Sequence, residues 1–308
     1  MKTKSIIVVA VLVLALGCLS GCGFRTNYIY KNGDKYTAGD REIKDKIETI
    51  NIDYMSGDVT LTVSDSDSIN IKETSNKNLD DKRKVHTWVD GTTLYVKYCA
   101  SAKKLDLNKL EKNLEITVPK NIKLEDIKVN LSSGNLNMNG FEAGAVNIET
   151  SSGNVDAAFA AKNIKMEASS GNITLTQTGD SDDVNVKVSS GKIKINMENA
   201  AKLRTEASSG GITVVAGKVK EFESETSSGD NSFTFAEAPE KSNIEASSGD
   251  VVITLPENSD LTAELNVSSG DISYDLPFSK NGGSYVCGSG SNHMKIETSS
   301  GDITFKTK

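Results

Sequence analysis

The feature that most constrains the fold is the tripeptide Ser-Ser-Gly, which occurs nine times in the sequence. Successive glycines are 19, 18, 20, 19, 19, 20, 21 and 31 residues apart. A period in this range is typical of a solenoid, in which each repeat buries its apolar side chains only by stacking on its neighbours. The glycines that we predict to be the repeat turns are Gly134, Gly153, Gly171, Gly191, Gly210, Gly229, Gly249, Gly270 and Gly301.

Apolar and polar residues alternate on both sides of each glycine. In the copy at Gly191, Val186 stands five residues before the glycine, and Ile193 and Ile195 stand two and four residues after it. A period of two predicts strands, and no helical three-to-four spacing accompanies it. We therefore predict an all-β protein. Residues 131–308 are expected to form a single-stack parallel β-solenoid of about nine coils of 19–20 residues, and residues 43–130 a less regular β-rich part.

The tripeptide has a structural interpretation at the corner between two strands. Glycine accepts a positive φ or a close backbone approach that a side chain would block. Stacked serines are expected to pass hydrogen bonds from coil to coil and to satisfy backbone groups at the bend. Since no base stands near these serines in the sequence, we predict that none of them is catalytic.

Glutamate occupies most positions four residues before the glycine, so a stacked repeat forms an outward acidic row. Like charges directly opposite each other in a sheet are destabilising. A basic residue two positions before the glutamate is expected to relieve the repulsion from Glu167, Glu206 and Glu297. These basic residues are Lys165, Arg204 and Lys295.

Aspartate directly follows the glycine in the last four copies, which gives two interpretations. Stacked carboxylates supply the oxygen ligands that calcium prefers, so Asp230, Asp250, Asp271 and Asp302 are candidate metal ligands. Alternatively they form a solvated polar edge, because aspartate is favoured at turns. The sequence lacks the nonapeptide glycine–aspartate repeat of calcium-binding β-helices, which favours the second interpretation. We predict no cofactor.

The part before the regular repeat carries weaker signals. Residues 55–58, Met-Ser-Gly-Asp, resemble an outlying tenth copy, and Asp90-Gly91 predicts a hairpin across residues 85–98. Four leucines with interleaved lysines predict one short helix across residues 105–114. Trp88, the one tryptophan, is either a packing residue of the hairpin, which we favour, or a platform for a sugar.

Two other features stay open. Cys99 and Cys287 either pair in an oxidising compartment or remain isolated buried thiols, and two cysteines do not make a disulfide framework. The interval before the last glycine holds an insertion near residues 276–292. Insertions in solenoids are loops that often lie on a binding face, so this segment is a candidate contact site as well as an ordinary surface loop.

The amino terminus is typical of a secretory signal. Lys2 and Lys4 precede an apolar run over residues 6–16, which is shorter than the about 20 residues that span a bilayer. Residues 19–22, Leu-Ser-Gly-Cys, resemble the bacterial lipobox. This resemblance implies a signal peptide at residues 1–21, diacylglycerol on the Cys22 thiol and acylation of the new amino terminus. The alternative is an uncleaved anchor helix to about residue 24.

Residues 22–42 are polar and have no clear period, so we predict a flexible tether between membrane and domain. Both interpretations of the amino terminus leave the rest of the chain on the extracytoplasmic side of a membrane. The formal net charge of −7 argues against a nucleic-acid partner, which would require a basic patch.

Together these features resemble the putative adhesin family of bacterial surface proteins, a β-solenoid domain of unknown function. The matching elements are the Ser-Ser-Gly-Asp/Asn-hydrophobic unit, the entry segment at residues 114–119, and the glycine-rich lead at residues 288–290 into the last copy. The likeness covers residues 43–308. It implies a β-solenoid and a surface role, and it brings no catalytic residues.

From these observations we expect a non-enzymatic, lipid-anchored surface protein. Its membrane partner would be reached through Cys22, and its solenoid flank would bind a macromolecule such as cell wall, polysaccharide or a protein surface. A rival hypothesis is an envelope-stress accessory or scaffold that acts on membrane partners. A more remote one is a polysaccharide-acting enzyme, which would require convergent acid or basic groups in a groove.

Overall fold

The computed structural model describes residues 25–108 and 110–308. Within these ranges the one helical element is a 3₁₀ turn at Gly33–Lys35, and no helix is long and apolar enough to cross a membrane. The strands that precede the regular repeat are β1 (Arg25–Tyr28), β2 (Thr37–Ala38), β3 (Arg41–Ile43), β4 (Thr49–Ser56), β5 (Val59–Ser64), β6 (Ile69–Ser75), β7 (His86–Asp90), β8 (Thr93–Lys97), β9 (Ala102–Asp106) and β10 (Lys112–Pro119).

Each coil of the repeat has a first arm that ends in the serine pair and a second arm that begins two residues after the glycine. In the middle of the stack the chain passes from a second arm into the next first arm within one bent strand. The strands are β11 (Leu124–Ser133), β12 (Leu136–Ser152), β13 (Val155–Ser170), β14 (Ile173–Ser190), β15 (Ile193–Ser209), β16 (Ile212–Ser228), β17 (Asn231–Phe235), β18 (Lys241–Ser248), β19 (Val251–Leu255), β20 (Leu261–Ser269), β21 (Ile272–Tyr274), β22 (Ser279–Asn281), β23 (Ser284–Cys287), β24 (Asn292–Ser300) and β25 (Ile303–Thr307).

The arms stack in parallel and in register, which confirms the predicted β-solenoid. Ile148 lies opposite Met166 in the next coil, and Met166 lies opposite Val186 in the one after it. These residues are at most 1% exposed, as are most of the alternating apolar positions on both arms. One hydrophobic core therefore runs through the stack, because each coil completes the burial of its neighbour.

The irregular part continues the stack. β4 pairs with β11 and β5 pairs with β12, so Ser56-Gly57 forms a tenth corner directly beside that of Gly134. Parallel strands β8 and β10 extend the two arms by one more step, and antiparallel strands follow them. The predicted hairpin at Asp90-Gly91 is formed by β7 and β8.

Residues 25–42 are folded, so the predicted tether over residues 22–42 is wrong for this part. β1 pairs with β9, β2 with β7 and β3 with β6. The Tyr28 hydroxyl donates to the Asp53 carbonyl (3.2 Å), and the Tyr30 hydroxyl donates to the Cys99 carbonyl (2.9 Å). The strands are too short to show a period, and tyrosine rings hold them instead of alternating aliphatic residues. Residues 1–24, including Cys22 and the predicted signal peptide, lie outside the described residues.

The predicted helix across residues 105–114 is also wrong. Leu105 belongs to β9, while Leu114, Ile116 and Val118 alternate inward along β10 and are at most 1% exposed. Pairing decides the conformation here, because β10 lies between β5 and β6 and completes a coil arm. Tertiary pairing of this kind overrides a weak local helical pattern.

The carboxyl-terminal end is stacked out of sequence order. β24 lies between β18 and β20, and β25 lies between β19 and β21. The last coil in the sequence is therefore inserted inside the stack, and the coil at Gly270 is the terminal one. The insertion near residues 276–292 provides the return path. It forms the antiparallel pair β22–β23, and β23 adds to the outer edge of β20.

Candidate functional site

The Ser-Ser-Gly corners need glycine for a geometric reason. The nine corner glycines have φ between +119° and +146°, and a Cβ on any of them would come within 1.8–2.5 Å of backbone atoms of the glycine in the adjacent coil. Both serines of every repeat are exposed, and no hydrogen bond is formed by their hydroxyls, all of which lie in the described part of the chain. The expected serine ladder is therefore absent, and eighteen hydroxyls face solvent.

The residue after the glycine provides the ladder instead. At most steps its backbone N–H donates to the side-chain Oδ1 of the residue at the same position in the adjacent coil. The ladder is interrupted at Lys192, whose side chain offers no acceptor, and at Gly211, which has no side chain. Its bonds measure 2.8–3.1 Å and link Asn135 to Asp58, Asn154 to Asn135, Asn172 to Asn154, Lys192 to Asn172, Asp250 to Asp230, Asp302 to Asp250, and Asp271 to Asp302.

The four candidate calcium ligands belong to this ladder. Their spatial order is Asp230, Asp250, Asp302 and Asp271, because the last coil is inserted. The first three each use Oδ1 to accept a backbone N–H of the next coil. Among the described residues no group of three or more His, Cys, Asp or Glu side chains could hold a metal ion. The arrangement is that of a hydrogen-bonded corner element, which asparagine fills equally well in the first coils.

The glutamates four residues before the glycine lie on the outer surface of the first arms. Glu206, Glu225, Glu245 and Glu297 are directly opposite one another on four successive parallel strands. Neighbouring strands lie about 4.8 Å apart, so these carboxylates repel one another unless a counter-charge is present.

Counter-charges reach the two ends of this row but not its centre. Lys187 pairs with Glu206 (2.6 Å) and Lys295 pairs with Glu297 (2.8 Å). The hydrogen bond from Lys295 holds the pKa of the Glu297 carboxyl below its usual value. Among the residues that the structure describes, Glu225 forms no ion pair, and Glu245 accepts only an amide hydrogen bond from Asn243 (2.8 Å).

Two of the three predicted basic neighbours act as expected. Lys165 contacts Glu167 (3.0 Å) and Lys295 contacts Glu297. Arg204 is the exception, since its guanidinium pairs with Glu223 of the next coil and not with Glu206. Arg204 pairs across the coils because Glu223 lies directly opposite it in the register of β15 and β16.

We call the glutamates four positions before the corner glycines, together with the first serine of each corner, the Glu–Ser strip. Asn130, Lys187 and Asn266 hold the glutamate position in the other three coils. The strip is one straight band along the stack, with a carboxylate row beside a hydroxyl row and shallow grooves of about 230 and 460 Å³ next to its acidic part. Such a band accepts hydrogen bonds and attracts cations along an extended ligand. Its residues are Glu149, Glu167, Glu206, Glu225, Glu245 and Glu297, with Ser132, Ser151, Ser169, Ser189, Ser208, Ser227, Ser247, Ser268 and Ser299.

A cluster of buried ionisable groups in the amino-terminal part of the stack has a structural role. The Lys112 side chain is fully buried, pairs with Glu73 (2.6 Å) and donates to the Arg83 carbonyl (2.7 Å) and to the Tyr98 carbonyl. The Tyr54 hydroxyl also donates to Glu73 (3.0 Å). Burial lowers the pKa of Lys112. With every donor of the ammonium used inside the core, the pair has no access to a substrate.

One cleft was not predicted from the sequence. It has a volume of about 740 Å³ and lies at the corner opposite Ser-Ser-Gly, among residues 43–48, 64–69 and 119–125. Ion pairs join its rim, including Lys120 to Asp65 (2.7 Å). Its walls carry both signs of charge without a convergent acid–base group, so they suggest no reaction.

The remaining candidates occupy the two ends of the stack. Trp88 is half-buried and stacks on Tyr95 across the β7–β8 hairpin (5.4 Å between ring centroids). Cys99 and Cys287 are free and buried, near opposite ends. At the far end Tyr274 is 40% exposed and packs edge-on against Phe278 of the insertion (5.5 Å). That insertion is thus an ordered tip.

Comparison with known proteins gives one family and several distant structures. The sequence profile of the Toastrack DUF4097 family matches residues 47–306. A solved structure of a putative adhesin from Parabacteroides distasonis is 17% identical, with 89% of this chain and 97% of that chain covered at a TM-score of 0.40. A putative adhesin from Bacteroides fragilis is 14% identical, with 86% and 95% covered at a TM-score of 0.39.

A third similar structure is a putative lipid binding protein from Parabacteroides distasonis. It is 17% identical, with 88% of this chain and 97% of that chain covered at a TM-score of 0.37. At these identities and TM-scores the likeness carries no inference about function. No curated protein matches the chain.

Proposed function

The chain belongs to the Toastrack DUF4097 family, and from this premise we propose that it is a non-enzymatic surface lipoprotein whose solenoid binds a macromolecule. The Cys22 lipid would hold it on the extracytoplasmic side of a membrane, after removal of residues 1–21. The lipobox-like residues 19–22 and the short apolar run before them support this part of the proposal.

The observation that carries the binding proposal is the Glu–Ser strip. The fold uses the corner glycine at every turn and the Asn/Asp ladder at most of them. Within the described residues it makes no use of the strip's hydroxyls or of the Glu225 carboxylate. The row at Glu206, Glu225, Glu245 and Glu297 is instead destabilising by like-charge repulsion. A cationic group of a partner would offset this repulsion, so the strip favours a cationic or neutral ligand over an anionic polysaccharide.

A non-enzymatic role has its own support. No strip serine contacts an imidazole or a carboxylate within the described residues, so none has the base that nucleophilic catalysis requires. Detectable turnover on a panel of polysaccharides would contradict this part of the proposal.

The test is co-sedimentation of the chain of residues 23–308 with purified cell-wall sacculi and with membrane vesicles of the host, with and without calcium. This chain retains the whole core, which lies between Ile43 and Phe305. We expect binding to one of the two fractions, weakened at least about tenfold by Glu225→Gln with Glu245→Gln, since charge-assisted hydrogen bonds are lost.

The matched control is Asp156→Asn with Glu198→Gln, which removes the same number of negative charges from exposed sites on the second arms. Equal loss in both variants would show that net charge, and not the strip, controls binding. Binding that ignores the strip variants but requires acylated Cys22 would favour the accessory or scaffold role at the membrane.

A further inference from the structure

The folding of residues 25–42 changes what a lipid on Cys22 would do. Only residues 23 and 24 separate Cys22 from β1, and a chain this short reaches at most about 10 Å. β1 is held by β9 and by the tyrosine hydrogen bonds described above. A lipid on Cys22 would therefore bring the amino-terminal end of the domain against the bilayer instead of leaving it on a long tether.

This end carries a continuous chain of aromatic rings. Tyr28, Tyr30, Tyr36, Trp88 and Tyr95 contact one another in that order, with centroid distances of 5.4, 4.9, 5.6 and 5.4 Å. All five side chains are half-buried, so each ring packs on the domain and keeps an accessible part. Tyrosine and tryptophan with this combination of apolar body and accessible polar group concentrate at membrane–water interfaces.

An exposed aliphatic residue and a set of lysines accompany the rings. Ile29, between two of the tyrosines, is 61% exposed, the highest value among the exposed large hydrophobic residues of the described chain. Lys35 is exposed and places its Nζ 4.8 Å from the Trp88 ring centroid. Three more lysines are exposed nearby: Lys31 follows β1, and Lys103 and Lys104 lie on β9, which pairs with β1.

Charge is divided between the two parts of the molecule. Residues 25–125 contain 18 Lys and Arg against 17 Asp and Glu, whereas residues 126–308 contain 15 against 25. An anionic leaflet attracts exposed lysines within about a Debye length and repels the acidic solenoid. This division favours contact of the lipid with the amino-terminal end and not with the acidic coils, which lie farther along the same outward face of the first arms.

We propose that the patch formed by Ile29, Lys31, Lys35, Lys103, Lys104 and the five aromatic rings is a second binding surface, and that its ligand is an anionic lipid bilayer. The proposal rests on the proposed Cys22 anchor for its biological setting, while the patch itself is a property of the folded domain. It adds a fixed orientation: the patch lies on the headgroups and the Tyr274 tip is the part farthest along the stack from the membrane.

Trp88 is the one tryptophan of the chain and reports on the patch directly. The acylated full-length protein is reconstituted into phosphatidylglycerol–phosphatidylcholine vesicles, with and without brominated lipid. We expect a blue shift of Trp88 emission and at least twofold quenching by brominated lipid. The chain of residues 23–308, added to the same vesicles, should bind them better than phosphatidylcholine vesicles. Unquenched Trp88 in the acylated protein would overturn the proposal.

Variants identify the surface. Lys31→Glu with Lys35→Glu should weaken binding of residues 23–308 to anionic vesicles by about tenfold or more, because each basic residue near such a surface contributes about fivefold. Ile29→Ser should weaken it further. The controls are Lys280→Glu with Lys306→Glu and Val215→Ser, which make the same changes at exposed sites far from the patch. Equal loss in patch and control variants would reduce the effect to overall charge and refute the patch.

The two proposals fail in different ways. An unmodified Cys22 in mass spectrometry, with residues 23–308 still bound to vesicles through the patch, would remove the anchor and leave the patch. Acylated Cys22 with unquenched Trp88 would leave the anchor and remove the patch. Concentration-dependent dimers that bury Trp88 without vesicles would show that the patch binds a second copy of the chain, which also refutes the lipid proposal.

Discussion

At the scale of single residues, the glycine corner explains why the repeat is so strict. Gly191 combines a φ of +143° with a backbone contact, because its Cβ would lie 2.0 Å from the Gly171 carbonyl oxygen. That oxygen belongs to a backbone paired on both sides, so it cannot move away. Gly179 also has a positive φ, +77°, but nothing lies within 4 Å of its Cβ position.

This contrast predicts two different costs for the same substitution. Gly179→Ala should lower the free energy of unfolding by about 1–2 kcal/mol, the cost of a left-handed conformation for an L-residue. Gly191→Ala should lower it by more than about 3 kcal/mol, because the clash with Gly171 is added. Urea unfolding of both variants measures the difference. Equal costs would show that backbone conformation alone, and not the close approach of the coils, requires glycine here.

The buried thiols give a second prediction at this scale. Burial raises the pKa of Cys99 to about 12 and also raises the pKa of Cys287. Above about pH 9 the unfolded thiols ionise while the folded ones stay protonated, so the unfolded state binds fewer protons and stability falls as the pH rises.

For residues 23–308 we expect no thiol labelled at pH 8 in the native state and two after unfolding without reductant. A disulfide would give none.

At the scale of elements, the Asn/Asp ladder links the coils along one edge. Its acceptor is a side-chain Oδ1, which aspartate and asparagine supply equally and alanine does not. This explains why the same position holds Asn135, Asn154 and Asn172 in early coils and aspartate in later ones.

Asp250 lies within the ladder and separates its structural role from metal binding. Asp250→Ala should cost about 1 kcal/mol of stability, because the Asp302 N–H loses its acceptor (2.9 Å). Asp250→Asn should cost nothing or stabilise slightly, since the acceptor remains and the repulsion from Asp230 and Asp302 is removed. Thermal melts with and without millimolar calcium measure both effects. A calcium-dependent rise in Tm that Asp250→Asn abolishes would restore the metal interpretation.

In this chain the local sequence pattern predicts the positions of the strands well, but it predicts poorly which strands pair with one another. The alternation around Gly191 or Gly153 is repeated, so it indicates strands, an inner face and a corner. The pattern did not predict three features of the structure. The strands of residues 25–42 and β9 pair with partners that no local period marks. The serine hydroxyls stack without bonding, and which atom satisfies the corner depends on side-chain geometry. The insertion of β24 between β18 and β20 depends on which of several similar strand edges β24 pairs with, and the repeat pattern does not distinguish them.

The same limit applies to the candidate site. The repeat predicts the glutamate row, but not that Arg204 pairs with Glu223 in place of Glu206, nor that Glu225 forms no ion pair within the described residues. The aromatic patch joins residues 28–36 to Trp88 and Tyr95, which are far apart in sequence. Only the folded chain brings them together.

At the scale of the whole molecule, a solenoid has two open ends that must be closed. Cys99 follows β8, and Cys287 ends β23, so eleven strand steps of about 4.8 Å, roughly 50 Å, separate the ends along the first arms. Antiparallel strands close the first end, and the β22–β23 hairpin covers part of the other. An uncovered end would offer free backbone groups to another chain.

The hairpin cover gives the last prediction. Residues 276–291 return the chain to β24, whereas residues 256–260 make the corresponding return between β19 and β20 in five residues. Replacing residues 276–291 by a six-residue Gly-Ser linker should therefore preserve the inserted coil while it exposes the edge of β20 from Leu261 to Ala263. We expect end-to-end dimers whose fraction rises with concentration in light scattering, because the free edge pairs with a second copy. Adding Thr262→Lys to the linker variant should reverse the dimerisation, since a charged side chain on an edge strand opposes pairing with a second copy. A linker variant that stays monomeric would show that the exposed Tyr274 end does not self-associate, and that the hairpin serves ligand contact or chain return instead of capping.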